Sequence, residues 1–164
     1  MTNKKRERPR TPIVDAVLSK DIFRVRTAVE AGADVDEQDS DGRSPLHHAS
    51  IQNHEEVVDL LLSLGAHAAV ADKDGWTPLH FAARNHAVGV AKKLLRAGTP
   101  VDSVDANGNT PLFRAVFESK GRGDMISLLL ESGADRHKQN NYGTSPAALA
   151  GTIANYDVKQ WLKP

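Results

Sequence analysis

Seven histidines and 21 acidic residues are the side chains of this 164-residue chain that could hold a metal or carry a proton. Their spacing supports neither chemistry. His54-Glu55-Glu56-Val57-Val58 has the first histidine and the acid of a zinc-protease helix but lacks the second histidine. His47 and His48 are adjacent, and helical neighbours point about 100° apart, so they do not form a chelating pair. His54 and His86 fall at short polar breaks, His67 and His137 follow glycines, and only His48 has no evident place in the chain's pattern. The sequence has no cysteine, which excludes thiol catalysis, disulfides and cysteine-ligated zinc. It also has no glycine-rich phosphate loop, no G-x-S-x-G and no paired-carboxylate constellation. The aspartates cluster in turn-like stretches, where Asp is favoured for its backbone hydrogen bonds. Arg122-Gly123-Asp124 spells an adhesion tripeptide, a match too short to carry meaning. No enzyme activity, metal or cofactor is expected.

Charge points the same way. Lys plus Arg equals Asp plus Glu at 21 each, which argues against a general nucleic-acid or membrane-surface binder. The balance is uneven along the chain. Lys4, Lys5, Arg6, Arg8 and Arg10 against Glu7 give residues 1–10 a charge of +4. Such a tail is either a solvated, disordered end or an arm for phosphates or an acidic surface. No apolar run approaches a membrane span, and the polar start lacks a signal-peptide core. A cytoplasmic monomer is expected.

The elements that position these residues follow from self-similarity. Thr11-Pro12, Ser44-Pro45, Thr77-Pro78, Thr110-Pro111 and Ser145-Pro146 recur, with prolines stepping by 33, 33, 33 and 35. Gly32, Gly65 and Gly98 follow their prolines by 20 residues and Gly133 by 22, so the fourth unit carries two extra residues, placed within 118–124. A Thr or Ser before Pro starts a helix: the hydroxyl caps free N–H groups and proline fits the first helical position. Small residues (Ala16, Ala49, Ala82, Ala115, Ala150) let these helices pack closely. Asn53 and His86 mark a break that tolerates left-handed backbone. A second helix carries Val57, Val58, Leu61 and Leu62, then Val90, Leu94 and Leu95, then Met125, Ile126, Leu129 and Leu130, each closed by a glycine. The links DSDG, DKDG, DANG and NNYG have the signature of type I turns.

The unit D-x-x-G-x-T-P-L-H-x-A…V-x-x-L-L…G-A-D resembles the ankyrin repeat over residues 11–164, with Thr77, Pro78, Leu79, His80 and Ala82 matching its signature outright. Ser44 replaces Thr in the second unit, and Val14, Phe113 and Ala148 stand where the histidine belongs in the others. The resemblance implies an all-α repeat solenoid: an ankyrin-type stack of helix-turn-helix units with projecting β-hairpin loops, about 11–38, 39–71, 72–104, 105–139 and 140–164, following a disordered tail at 1–10. It also implies that His47 and His80 bond the capping hydroxyl and tie neighbouring units. Arg24 and Thr27 give the first cap a polar outer side. The last cap is expected to end the core with a short helix from about Tyr156 to Leu162, seating Val158, Trp161 and Leu162.

In such stacks partners meet the hairpin tips and the concave face of the first helices. On this chain that surface comprises Arg43, Asp41, Asp74, Trp76 and Tyr142 on the fingers. His48, Ile51, Gln52, Phe81, Arg84, Asn85, Arg114 and Phe117 form the wall. Half of the chain's eight aromatics fall there beside two wall arginines, and aromatic and arginine side chains dominate binding hot spots. Trp76 has two readings, a brace for the next finger or a partner contact. Asp39, Asp41, Asp72, Asp74 and Asp105 add acid to the fingers. These features imply a non-catalytic protein-binding module whose partner carries a basic patch. Alternatives are an inhibitor or immunity protein that neutralises a toxin or effector enzyme, and nucleic-acid contact through the tail. If Leu61 is core, Leu61→Ala lowers stability by roughly 2–5 kcal/mol; urea denaturation measures it, and an unchanged midpoint would overturn the assignment.

Overall fold

The computed structural model describes residues 11–153 and 157–162. Helices pair along the chain: α1 (Pro12–Leu18) with α2 (Ile22–Glu30), α3 (Pro45–Ile51) with α4 (Glu55–Ser63), α5 (Pro78–Arg84) with α6 (Val88–Arg96), and α7 (Pro111–Phe117) with α8 (Asp124–Glu131). Then α9 (Pro146–Thr152) packs against a 3-10 helix, Val158–Leu162. The first helices stack on one another in chain order and the second helices do likewise, giving an all-α solenoid of two layers. The described residues contain no β-strand; the projecting fingers are hydrogen-bonded turns.

Local chemistry sets the ends of these helices. The Thr110 and Ser145 hydroxyls accept from the backbone N–H three residues on, at 3.2 Å in both cases. The breaks are left-handed, with φ of 59° at Lys20, 55° at Asn53 and 54° at His86. At the closing glycines φ is 84° to 94°, a region where a Cβ is strained. There the N–H of Ala33 reaches the Ala28 carbonyl and that of Gly32 the Val29 carbonyl, at 3.0 and 2.9 Å. The same pair of bonds recurs at Ala66, Thr99 and Ala134 with their glycines.

The core is a set of columns. Ile13, Leu46, Leu79 and Leu112 form one, Ala16, Ala49, Ala82, Ala115 and Ala150 a second, and Leu61, Leu94 and Leu129 a third, all essentially sealed from water. Val57, Val90 and Met125 face the preceding unit and are buried, whereas the equivalent Arg24 has no such neighbour and is exposed. At the other end, Val158 and Leu162 enter the core as expected, but Trp161 does not. It remains 38% exposed, with its ring laid on Gly123, where a Cβ would sit 2.1 Å from Cδ2. The tight 3-10 turn directs it to that glycine of the unit-four insertion instead of the core. Tyr156, the expected start of this element, and the basic tail 1–10 lie outside the described residues.

Two buried imidazoles join units. His80 Nδ1 accepts from the Thr77 N–H at 3.1 Å and meets the Thr77 hydroxyl at 2.9 Å. Nε2 must then carry the proton, which it donates to the Asn109 carbonyl of the next finger at 3.1 Å. His47 repeats this with Ser44 and the Trp76 carbonyl, at 3.0 and 2.9 Å. Both rings have to be neutral, and burial pushes the His80 pKa down from 6.5 to about 4. Unfolded chain therefore takes up the His80 proton first. Its contribution is complete above about pH 6.5 and declines as pH falls toward 4, by about 3 kcal/mol. Urea titrations across that range should show a steep acid limb that is flatter in His80→Leu; equal slopes would refute the assignment.

Candidate functional site

The site starts from the finger turns. In each, the first residue accepts twice on one side-chain oxygen. Asp39 Oδ1 takes the N–H of Asp41 and Arg43, and Asp72 Oδ1 those of Asp74 and Trp76, all at 2.8–3.0 Å. Asp105 and Asn140 repeat the device. The glycine N–H closes each turn onto the carbonyl of that first residue. Fingers also join edge to edge, Lys73 N–H to the Asp41 carbonyl at 3.0 Å and Ala106 N–H to that of Asp74 at 2.8 Å. Gly42 permits this approach, since a Cβ there would stand 2.9 Å from Lys73 N.

In two of these acids, Asp39 and Asp105, the second oxygen reaches the wall. His48 Nε2 lies 2.9 Å from Asp39 Oδ2, which gives that histidine the architectural post the pattern did not reveal. Arg114, at the equivalent wall position, bonds Asp105 Oδ2. Burial alone would raise the Asp105 carboxyl, but Arg114 and the N–H groups of Asn109 and Asn107 outweigh it and hold it below the usual range. The third wall residue of this column, Phe81, cannot pair. Asp72 is served instead by Arg43 of the preceding finger, with Nε 3.5 Å from Oδ2. Asp72 and Asp105 are thus buried framework, so the acid presented at the tips reduces to the exposed Asp41 and Asp74.

Over this framework runs a ladder of cations and rings. The Arg43 guanidinium lies 5.3 Å from the Phe81 centroid, Phe81 lies 4.9 Å from Trp76, and Arg114 and Arg84 lie 4.3 and 5.8 Å from Trp76. Each cation is within the range of attraction to a ring face. Phe81, expected on the open wall, is only 6% exposed beneath these neighbours. Trp76 is half-buried: it braces its own fold through Phe81, His80 and two arginines while keeping an edge in solvent. Asn85 is exposed yet donates to the Ile51 carbonyl at 2.9 Å, joining two units.

The remaining expected residues stand more openly. Phe117 is 60% and Tyr142 76% exposed, the latter with its hydroxyl 3.3 Å from Asn107 Oδ1. Arg84 and Gln52 are exposed and Ile51 is half-buried. Phe23, 78% exposed on α2, lies outside the expected set; it aligns with the exposed Glu56 of the second unit. Among the described residues no three His, Asp or Glu side chains converge to hold a metal, and no helix is long and apolar enough to cross a membrane.

A two-layer stack of helix pairs, joined by fingers and walled by its first helices, defines a helical repeat protein. Residues 13–62 and 46–95 match the sequence profile of ankyrin repeats in many copies, and 107–141 match that of the single ankyrin repeat. The chain belongs to the ankyrin repeat family. Ankyrin repeats are in general protein–protein interaction modules and are typically non-catalytic. Among curated proteins, the chain is similar to the Arf-GAP with coiled-coil, ANK repeat and PH domain-containing protein 2 of Rattus norvegicus, Mus musculus and Homo sapiens. The identity is 38% over 48 residues, 29% of this chain. The match spans about 6% of each relative's length.

If Arg114 both covers Trp76 and satisfies buried Asp105, Arg114→Ala should lower stability by roughly 1.5–3 kcal/mol. In a Trp161→Phe background the same change should shift Trp76 emission to longer wavelength and increase its quenching by acrylamide. An unmoved spectrum would refute the stacking.

Proposed function

We propose that the chain is a non-catalytic module that binds a protein partner through the concave face and finger tips of its second to fifth units. The observation that carries this reading is the exposure of Phe117 and Tyr142, with Phe117 in the same wall column as the exposed Arg84 of the preceding unit. A large ring left in water gains by burial against an apolar patch, with few rotamers to freeze. Arg84 makes no ion pair among the described residues and is placed to receive a carboxylate. Asp41 and Asp74 at the tips suit basic side chains on the same partner.

The structure changes which residues test this. Trp76 and Arg114 belong to the framework, so replacing them confounds binding with folding. Phe117, Tyr142 and Arg84 are exposed; of these only Arg84 approaches the framework, at 5.8 Å from the Trp76 centroid, and replacing them removes no buried side chain. A photo-crosslinking benzoyl-phenylalanine at Phe117 should yield one discrete protein adduct in source-cell lysate, absent when it is placed at Phe23. Arg84→Glu/Tyr142→Ala should abolish that adduct with an unchanged melting curve. Adducts of equal yield from both positions, or insensitivity to the double change, would overturn the assignment of this face.

A further inference from the structure

The layer of second helices carries a separate surface. Where α4 meets α6, Lys93 Nζ lies 2.6 Å from Asp59 Oδ2 and 3.8 Å from Glu55 Oε2. The helix-closing glycines fix the correspondence between units: Leu60, Lys93 and Leu128 stand five residues before theirs, and Asp59, Lys92 and Ser127 six before. At the next step, between α6 and α8, the place of the Lys93–Asp59 bridge is therefore taken by Leu128 opposite Lys92. The cation has lost its carboxylate. Arg96, one helical turn on, shares that side of α6, and neither makes an ion pair among the described residues. Like charges at this spacing repel.

A groove of about 470 Å³ opens there, lined by Lys92, Leu95, Arg96, Val101, Leu128 and Ser132. Leu95, Val101 and Leu128 are half-buried, so the floor keeps apolar surface in water while the rim holds two exposed cations. We propose that this groove docks a short acidic, amphipathic segment of a protein partner. One apolar side chain of the segment covers Leu95, Val101 and Leu128, and flanking carboxylates meet Lys92 and Arg96. A carboxylate there also relieves the repulsion between the two cations. A phosphate ion would engage the rim but gain nothing from the floor, which favours the peptide.

The test uses a fluorescein-labelled peptide of repeated Glu-Glu-Leu and the full chain. The peptide should bind, move the amide resonances of Leu95, Leu128 and Ser132, and release at high salt. Lys92→Glu/Arg96→Glu should weaken it about tenfold or more. Both residues are exposed, so the variant should melt as the parent does; Lys92→Gln/Arg96→Gln serves as a milder control expected to weaken binding less. Absence of binding, resonance changes centred on Phe117 instead, or equal affinity in the charge-reversed variant would each overturn the proposal. So would capture of inorganic phosphate or anionic vesicles by the parent, lost in the variant, without peptide binding.

Discussion

No helix pair in this chain can bury its own apolar flanks, and the rest of the structure depends on that constraint. Each second helix carries one row toward the preceding unit (Val57, Val90, Met125) and another into its own pair (Leu61, Leu94, Leu129), so a unit is complete only between neighbours. Hydrogen bonding at the fingers crosses units too. The Trp76 and Asn109 carbonyls accept from the N–H of Asp72 and Asp105 in their own fingers and take a second donor from His47 and His80 of the preceding units. Packing and hydrogen bonding thus propagate along one axis. The ends are resolved differently: α2 turns Arg24 and Thr27 to solvent, whereas the last unit shortens to a 3-10 turn that inserts only Val158 and Leu162.

What was legible in the sequence is what local backbone chemistry enforces. Thr-Pro starts, the left-handed Asn53 and His86, the closing glycines and the Asp-x-x-Gly turns each depend on a few adjacent residues, and each stands where its spacing puts it. The individual exposure of the expected wall and finger residues was not legible. Phe81 is buried because Arg43 and Trp76 close over it; Asp72 is buried because Phe81, unlike His48 or Arg114, leaves its acid for the preceding finger to satisfy. Both outcomes turn on Arg43, which lies 38 residues from Phe81 and 29 from Asp72 in sequence. Trp161 shows the same limit: its apolar character suggested core, and its place was decided by a glycine in an insertion 38 positions earlier.

The departures between units, not the shared pattern, give the surface its character. A repeated column that held the same residue in every unit would satisfy itself along its length, as the leucine and alanine columns do. Where the residue changes, a neighbour is left with unspent capacity. Phe81 in the His48/Arg114 column obliges Arg43 to cross to Asp72, which places a cation over a ring and builds the ladder around Trp76. Phe117 in the Ile51/Arg84 column leaves a large ring in water in line with Arg84, a cation with no ion pair among the described residues. Trp76 follows the same logic: Phe81 and the arginines pack against it, and its half-buried side chain keeps part of its surface in solvent. A ring fixed in that way loses little entropy when covered, so bracing and binding are compatible roles for one side chain.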